Sequence, residues 1–390
     1  MSLTKKNPII NIPANVILNE KGESYFSSMG VPLKSVSGIN GRKRFGFCSN
    51  ILEVPLVKTV AKGNFLEEVY TRETDLISRK AEIQDITKLL FYNLIYTKFI
   101  PHLREVLLNT NLIEKYNLKN PSAKITHETK FDEQKIKAFF ASRKEEISKM
   151  ITNILKKPYK IIDEDKEIKE KEEKKNILKT MLNHITLREW FLFFLITTDA
   201  RERDIVTERI SDLMIIYLGK TKIADYLGFL VVELIQNAEK ATLEKVAKIK
   251  GIVKKDDDSR TTDTLLKDQN TRKKLIEIAR QMNYHVELSW KLKEIGDKLN
   301  TLRYEITVSN KGVIPKAKRN EVKNKSQTDI EGLSLADFYQ ETGQQLGAGL
   351  GLFYISYINE ESIKQGIKFT SIIDSDDDKD TTYVVLKVSV

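Results

Sequence analysis

"QQLGAGLGLFYISYI", Gln344 to Ile358, sets glycine at alternate positions, Gly347, Gly349 and Gly351, and runs straight into an apolar, helix-like stretch. A helix N-terminus carries unpaired backbone N–H groups and a partial positive charge, so glycine at that point lets an anion reach the main chain. Phosphate is the obvious anion. The dinucleotide fingerprint requires a different glycine interval after a strand, and the lysine-bearing P-loop pattern is absent, so neither standard phosphate loop fits. By itself the triplet is equally the mark of a loop that ends in a helix.

Working outward, "ELIQNAEKA" places Glu233, Asn237 and Lys240 on one face of a helix beside an apolar stripe of Leu234, Ala238 and Ala241. A carboxylate, an amide and an ammonium on one face can serve phosphate chemistry. The amide oxygen is a hard ligand suited to Mg²⁺, and the lysine neutralises phosphate charge. Taken alone, the same pattern is an ordinary amphipathic helix. "YEITVSNKGVIP" then ends an alternating strand on Asn310, with Gly312 just beyond. A flat ring can lie against a glycine backbone there while the side-chain amide bonds a base edge.

The surrounding chain divides into three. Up to Asp75, β-branched runs broken by Gly, Pro and Asn predict a small β-rich module, which would be a sensor or docking domain (1–75). Residues 76–220 follow a helical period, with the alternating charges of "DEDKEIKEKEEKKN" at 163–176 as the candidate linker. Residues 221–390 run helix, helix, strand, strand, helix, strand, strand, which predicts an α/β layered sandwich with an antiparallel or mixed sheet.

The series "ELIQNAEKA", "VSNKGVIP", "GAGLGL" and "TTYVVLKV" resembles the N, G1 and G2 boxes and closing strand of the ATP-binding domain shared by DNA gyrase, the ninety-kilodalton heat-shock chaperone, MutL and sensor histidine kinases. The resemblance implies a Bergerat-type two-layer α/β sandwich with a mixed sheet, holding ATP and Mg²⁺ under a lid spanning about Pro315 to Leu346. It assigns Mg²⁺ to Asn237, the adenine pocket to Asn310 and Gly312, and the phosphates to Gly347, Gly349, Leu350 and Gly351. Thr382 falls on the closing strand as a further nucleotide contact, and Glu233 on the position that orients water in the gyrase and chaperone branches. Lys240, where those branches usually carry aspartate, and Asn310, followed by Ile-Pro, point to the histidine kinases.

That branch requires an acceptor histidine. Among His102, His127, His184 and His285, only His127 has an acidic neighbour, Glu128, and it lies at about the family's usual distance ahead of Asn237, so it is the candidate phosphoacceptor. Its surroundings read as loop or strand. The expected activity is transfer of the γ-phosphoryl group to a histidine in cis or on a protein partner, such as a response regulator. The alternative is an ATPase switch, or a nucleotide-sensing module without its own acceptor.

Composition narrows the rest. One cysteine, Cys48, excludes a disulfide framework and a thiolate zinc cage. The apolar run "WFLFFLI", 190–196, is far short of the roughly 20 residues of a membrane span. A cytoplasmic location and no membrane span are the expectation. The net charge of +10 is spread among acids without an Arg/aromatic stripe, so nucleic acid is not an expected partner. Helix packing leaves a homodimer open.

Overall fold

The computed structural model describes residues 8–166, 170–253, 266–295, 301–314 and 350–390. In chain order the N-terminal part forms β1 (Ile9–Ile10), β2 (Ala14–Leu18), α1 (Glu20–Ser28), β3 (Lys34–Ser37), β4 (Lys43–Ser49), β5 (Leu52–Glu53), α2 (Val54–Lys62) and β6 (Leu66–Glu73). Helices follow: α3 (Lys80–Leu108), α4 (Asn111–Lys119), α5 (Glu133–Ala141), α6 (Lys144–Glu164), α7 (Lys171–Asn183), α8 (Leu187–Ile196) and α9 (Ala200–Ile249). The C-terminal part adds α10 (Gln269–Gln281), β7 (Val286–Ile295), β8 (Thr301–Lys311), α11 (Leu350–Lys364), β9 (Lys368–Asp376) and β10 (Thr381–Ser389).

These elements make two compact units, one of the residues up to Asn93 with Ile223–Val390, the other Leu94–Lys222. In the first unit an eight-stranded sheet runs β3-β4-β2-β6-β7-β8-β10-β9. The N-terminal strands are therefore not a module of their own. β6 pairs with β7, Val69 opposite Trp290 and Glu68 opposite Lys291, so the first strands extend the C-terminal sheet. Glu68 fastens this seam: its carboxylate accepts from Ile39 N (3.1 Å) and Ser289 Oγ (2.5 Å) and lies 3.6 Å from Lys291 Nζ. All pairings among the described strands are antiparallel, one of the two arrangements expected from the order of elements and a correction of the mixed sheet that the resemblance implies.

Two further differences have local causes. "ILEVPLVKTVAKG" reads as a strand by its β-branched content, yet 54–62 is helical. Pro55 sits in the first turn, where its missing N–H costs nothing, and Val57, Val60 and Ala61 bury one face. The charged run 163–176 is not simply a linker: α6 extends to Glu164 and α7 begins at Lys171, with Lys174 buried.

One face of the sheet packs on helices. Trp290 and Tyr304, both fully buried, meet α3 at Thr87: the indole Nε1 donates to Thr87 Oγ1 (3.0 Å) and the Tyr304 hydroxyl to the Thr87 carbonyl (3.2 Å). α9 and α10 join through Leu243, Val246, Ala247, Leu275, Ile276 and Ala279. Beside that cluster Arg272 holds Asp75 at 2.7 Å and pairs with the buried Glu239.

The second unit is helical. Phe139, Phe140, Phe191 and Phe194 meet edge to face, Arg143 lies 4.1 Å above the Phe139 ring, and Arg104 binds the fully buried Glu189 at 2.7 Å. Among the described residues no helix is long and apolar enough to cross a membrane.

Candidate functional site

Alternation along β8 sends Leu302, Tyr304, Ile306 and Val308 toward the helices, all of them buried, and Asn310 ends that row. Register extends the row across the sheet. Val308 stands opposite Leu288 and Val384, and Val384 opposite Ile373; one step on, Asn310 faces Thr382, and Thr382 faces Ser375. The helix-facing side thus turns from apolar to polar at this end.

The polar end is joined by hydrogen bonds whose direction is fixed. Ile314 N donates to Ser375 Oγ (3.1 Å), and the Thr382 hydroxyl donates to the Gly312 carbonyl (2.7 Å). The proton between Ser375 and Thr382 (3.0 Å) therefore belongs to Ser375. Asn310 is 8% exposed; its Nδ2 donates to Lys311 O (3.1 Å), while its carbonyl oxygen accepts no hydrogen bond among the described residues. Turning the amide over would set two oxygens against each other. An unused acceptor is thereby left at the buried end of the row.

Gly312 follows with φ of 115°. Its N–H donates to Asp380 O (2.9 Å), and Asp380 pairs through its carboxylate with Lys245 of α9. A Cβ at Gly312 would meet Lys245 Cδ at 3.6 Å, an ordinary contact, so the demand for glycine here is conformational and not one of space. Gly312→Ala is expected to cost about 1–3 kcal/mol through backbone strain. A urea midpoint equal to that of the parent would refute this.

On α9, Asn237 is exposed while Glu233 and Lys240 are half-buried. Burial pushes the Glu233 carboxyl above its usual pKa. Two contacts fix how α11 lies on this helix: Tyr226 with Tyr357 (rings 4.5 Å apart, hydroxyls 3.0 Å) and Phe229 with Tyr354 (6.3 Å, nearly parallel). Advancing on α9 matches receding on α11, so the two are antiparallel. One more turn brings the start of α11, Leu350 and Gly351, level with Glu233, and sets Asn237 a turn beyond that N-terminus. Gly347, Gly349 and the expected lid at 315–346 lie outside the described residues.

The histidines are dispersed. His127 is exposed in a turn of the second unit, where Glu128 N donates to Thr126 Oγ1 (3.3 Å). His102 on α3 bonds Tyr217 (2.6 Å), His184 caps α7 against Thr180 O (2.8 Å), and His285 meets Thr74 Oγ1 (2.9 Å). His127 is thus not on a helix.

Asn310, Gly312 and Thr382, predicted from sequence, come together. Ser375 and Lys245 were missed. Ser375 is findable as the partner of Thr382 across the hairpin, whereas Lys245 falls on the row of Leu234, Ala238 and Ala241, where no local signal marks it.

A family model described as a family of unknown function, DUF8084, matches residues 5–390. An uncharacterized protein of Treponema pallidum (strain Nichols) is 23% identical over 380 residues, covering 95% of each chain. No solved structure matches the sequence significantly.

Proposed function

For this chain, which belongs to the DUF8084 family, we propose a function of the histidine-kinase type: binding of ATP with Mg²⁺ in a Bergerat-type fold, and transfer of the γ-phosphoryl group to a histidine in cis or on a protein partner. The observation that carries it is the antiparallel register of α9 and α11, given by Tyr226–Tyr357 and Phe229–Tyr354. That register aims the first-turn amides of α11 at the stretch from Glu233 to Asn237, a place for phosphate. Lys245, which borders Gly312, stands about 12 Å farther along the α9 axis. A nucleoside triphosphate spans such a distance and a free phosphate does not.

Each residue then has a task. Asn310 offers its unused carbonyl oxygen to an adenine amino group, and the Ser375–Thr382–Gly312 chain holds the adjoining backbone. Gly347, Gly349 and Gly351 let the main chain approach phosphate oxygens, and Lys240 offsets their charge. Among the described residues no group of three or more His, Cys, Asp or Glu could hold a metal. Mg²⁺ fits all the same, because it keeps waters and phosphate oxygens and asks the chain only for the Asn237 amide oxygen. Bound ATP supplies the phosphoryl group, and the metal neutralises charge during transfer.

A second reading has its own observation. The raised carboxyl of Glu233 beside the α11 N-terminus suits a base that takes a proton from water, which would make the chain an ATPase switch. Incubation with γ-labelled ATP and Mg²⁺, beside Asn237→Ala, separates these. Acid-labile protein-bound label lost in the variant is the expected result, alone or with an added phosphoacceptor protein. Released phosphate without bound label favours the switch. If the parent protein retains no nucleotide, both readings fail.

A further inference from the structure

In the second unit, two lysines lie in partly buried settings where no acid among the described residues pairs with either. Lys220 of α9 is 8% exposed and Lys98 of α3 is half-buried. Burial holds both amines below the usual lysine pKa, and Lys98 lowers that of Lys220 further, as neighbouring like charges do. Neither amine makes an ion pair among the described residues. Lys291, equally buried in the sheet, shows the contrast, since Glu68 lies 3.6 Å from it.

The floor of the setting is Tyr217, 1% exposed. Lys220 Nζ lies 5.1 Å from its ring centroid, and its hydroxyl meets His102 Nδ1 at 2.6 Å. His102 is exposed and keeps its second ring nitrogen outside that bond. Glu105 acts electrostatically on the Tyr217 hydroxyl and bonds neither lysine. Keeping neighbouring ammonium groups in partly buried positions is unfavourable unless a counter-charge joins them. The cation–π contact compensates only in part.

We propose that Lys98, Lys220 and His102 form a binding site for a phosphate dianion, taken free or as the phosphoryl group of a small phosphomonoester. A dianion matches two ammonium groups in charge, and its several oxygens can accept from both amines and the imidazole at once, which a carboxylate does less well. The site owes nothing to the nucleotide reading, because none of its residues belongs to the first unit.

Isothermal titration of the full chain with inorganic phosphate and with glycerol phosphate, at constant ionic strength set by chloride, tests it. Lys220→Met and Lys98→Met are each expected to weaken phosphate binding about tenfold or more, whereas Asn237→Ala leaves this binding unchanged. Inorganic phosphate binding as well as the ester identifies the free anion as sufficient; tighter binding of the ester assigns the phosphoryl group of a metabolite. Phosphate binding that survives Lys220→Met, or disappears only in Asn237→Ala, overturns the site. Should the lysine variants fail to fold, ¹³C-methylated lysine spectra of the parent protein decide: the Lys98 and Lys220 signals are expected to titrate below an ordinary lysine and to move up with phosphate. A titration that phosphate does not shift overturns the proposal.

Discussion

Trp290→Ala is expected to lower the unfolding free energy by about 3–5 kcal/mol, the range for a large aromatic removed from a core. The indole is fully buried at the centre of the sheet and donates to Thr87 Oγ1 at 3.0 Å. Its loss opens a cavity between the sheet and α3. The Thr87 hydroxyl still donates to Ile83 O (2.8 Å), so the deficit comes from packing more than from an orphaned polar group. Trp290→Phe, which keeps most of the volume, is expected to recover over half of it. Urea unfolding followed by circular dichroism measures both. A deficit under about 1 kcal/mol in Trp290→Ala would mean that the site collapses freely and that the α3–sheet contact is not a core.

Arg272→Met has an effect of similar size by another route, about 3 kcal/mol, because it leaves Glu239 buried without its partner. Burial already holds the Glu239 carboxyl above its usual pKa, and Arg272 and the Ile77 amide pull it back. Removing the guanidinium raises it further. A carboxyl whose folded pKa is raised binds its proton more readily folded than unfolded, so folding gains as pH falls toward the unfolded value of about 4.3 and loses as pH rises through the folded one. The deficit of Arg272→Met is therefore expected to be largest near pH 8 and to shrink toward pH 5. Adding Glu239→Leu should restore most of the loss at pH 8. A deficit that stays constant across this window would assign the effect to lost packing of the arginine stem.

Local pattern carried much of the C-terminal architecture. "HVELSWKL" and "RYEITVSN" form β7 and β8, "IKFTSIIDSDDDKDTTYVVLKVSV" forms the closing hairpin, and the stretch from the glycine triplet onward supplies α11, Leu350–Lys364, with Gly351 in its first turn. In each case the alternation or helical period lies within a dozen residues. What was hidden is non-local or ambiguous by type. Val69 opposite Trp290 is a pairing between distant segments, and no short window records it. Gly219 and Lys220 resemble a break between helices, yet α9 runs through them, with Thr221 Oγ1 bonding Leu218 O (2.6 Å) inside the helix. For the site, strand parity made Asn310 and Thr382 readable, since a period of two fixes which face a residue joins. Lys245 and Asp380 were not, because their ion pair joins a helix to a hairpin turn.

The seam between β6 and β7 also sets a timetable. On the ribosome, β2, β3, β4 and β6 emerge early, and the strand that covers the β6 edge is not made until residue 286. At 5–20 residues per second the interval is roughly 10–40 s. During it Leu94–Lys222 is complete and free to condense, while the first four strands of the large sheet wait with an unpaired hydrogen-bonding edge, the kind of surface on which nascent chains pair wrongly. The β6 edge is thus the place where newly made chains of this protein are expected to pair wrongly until residues 286–295 arrive to cover it.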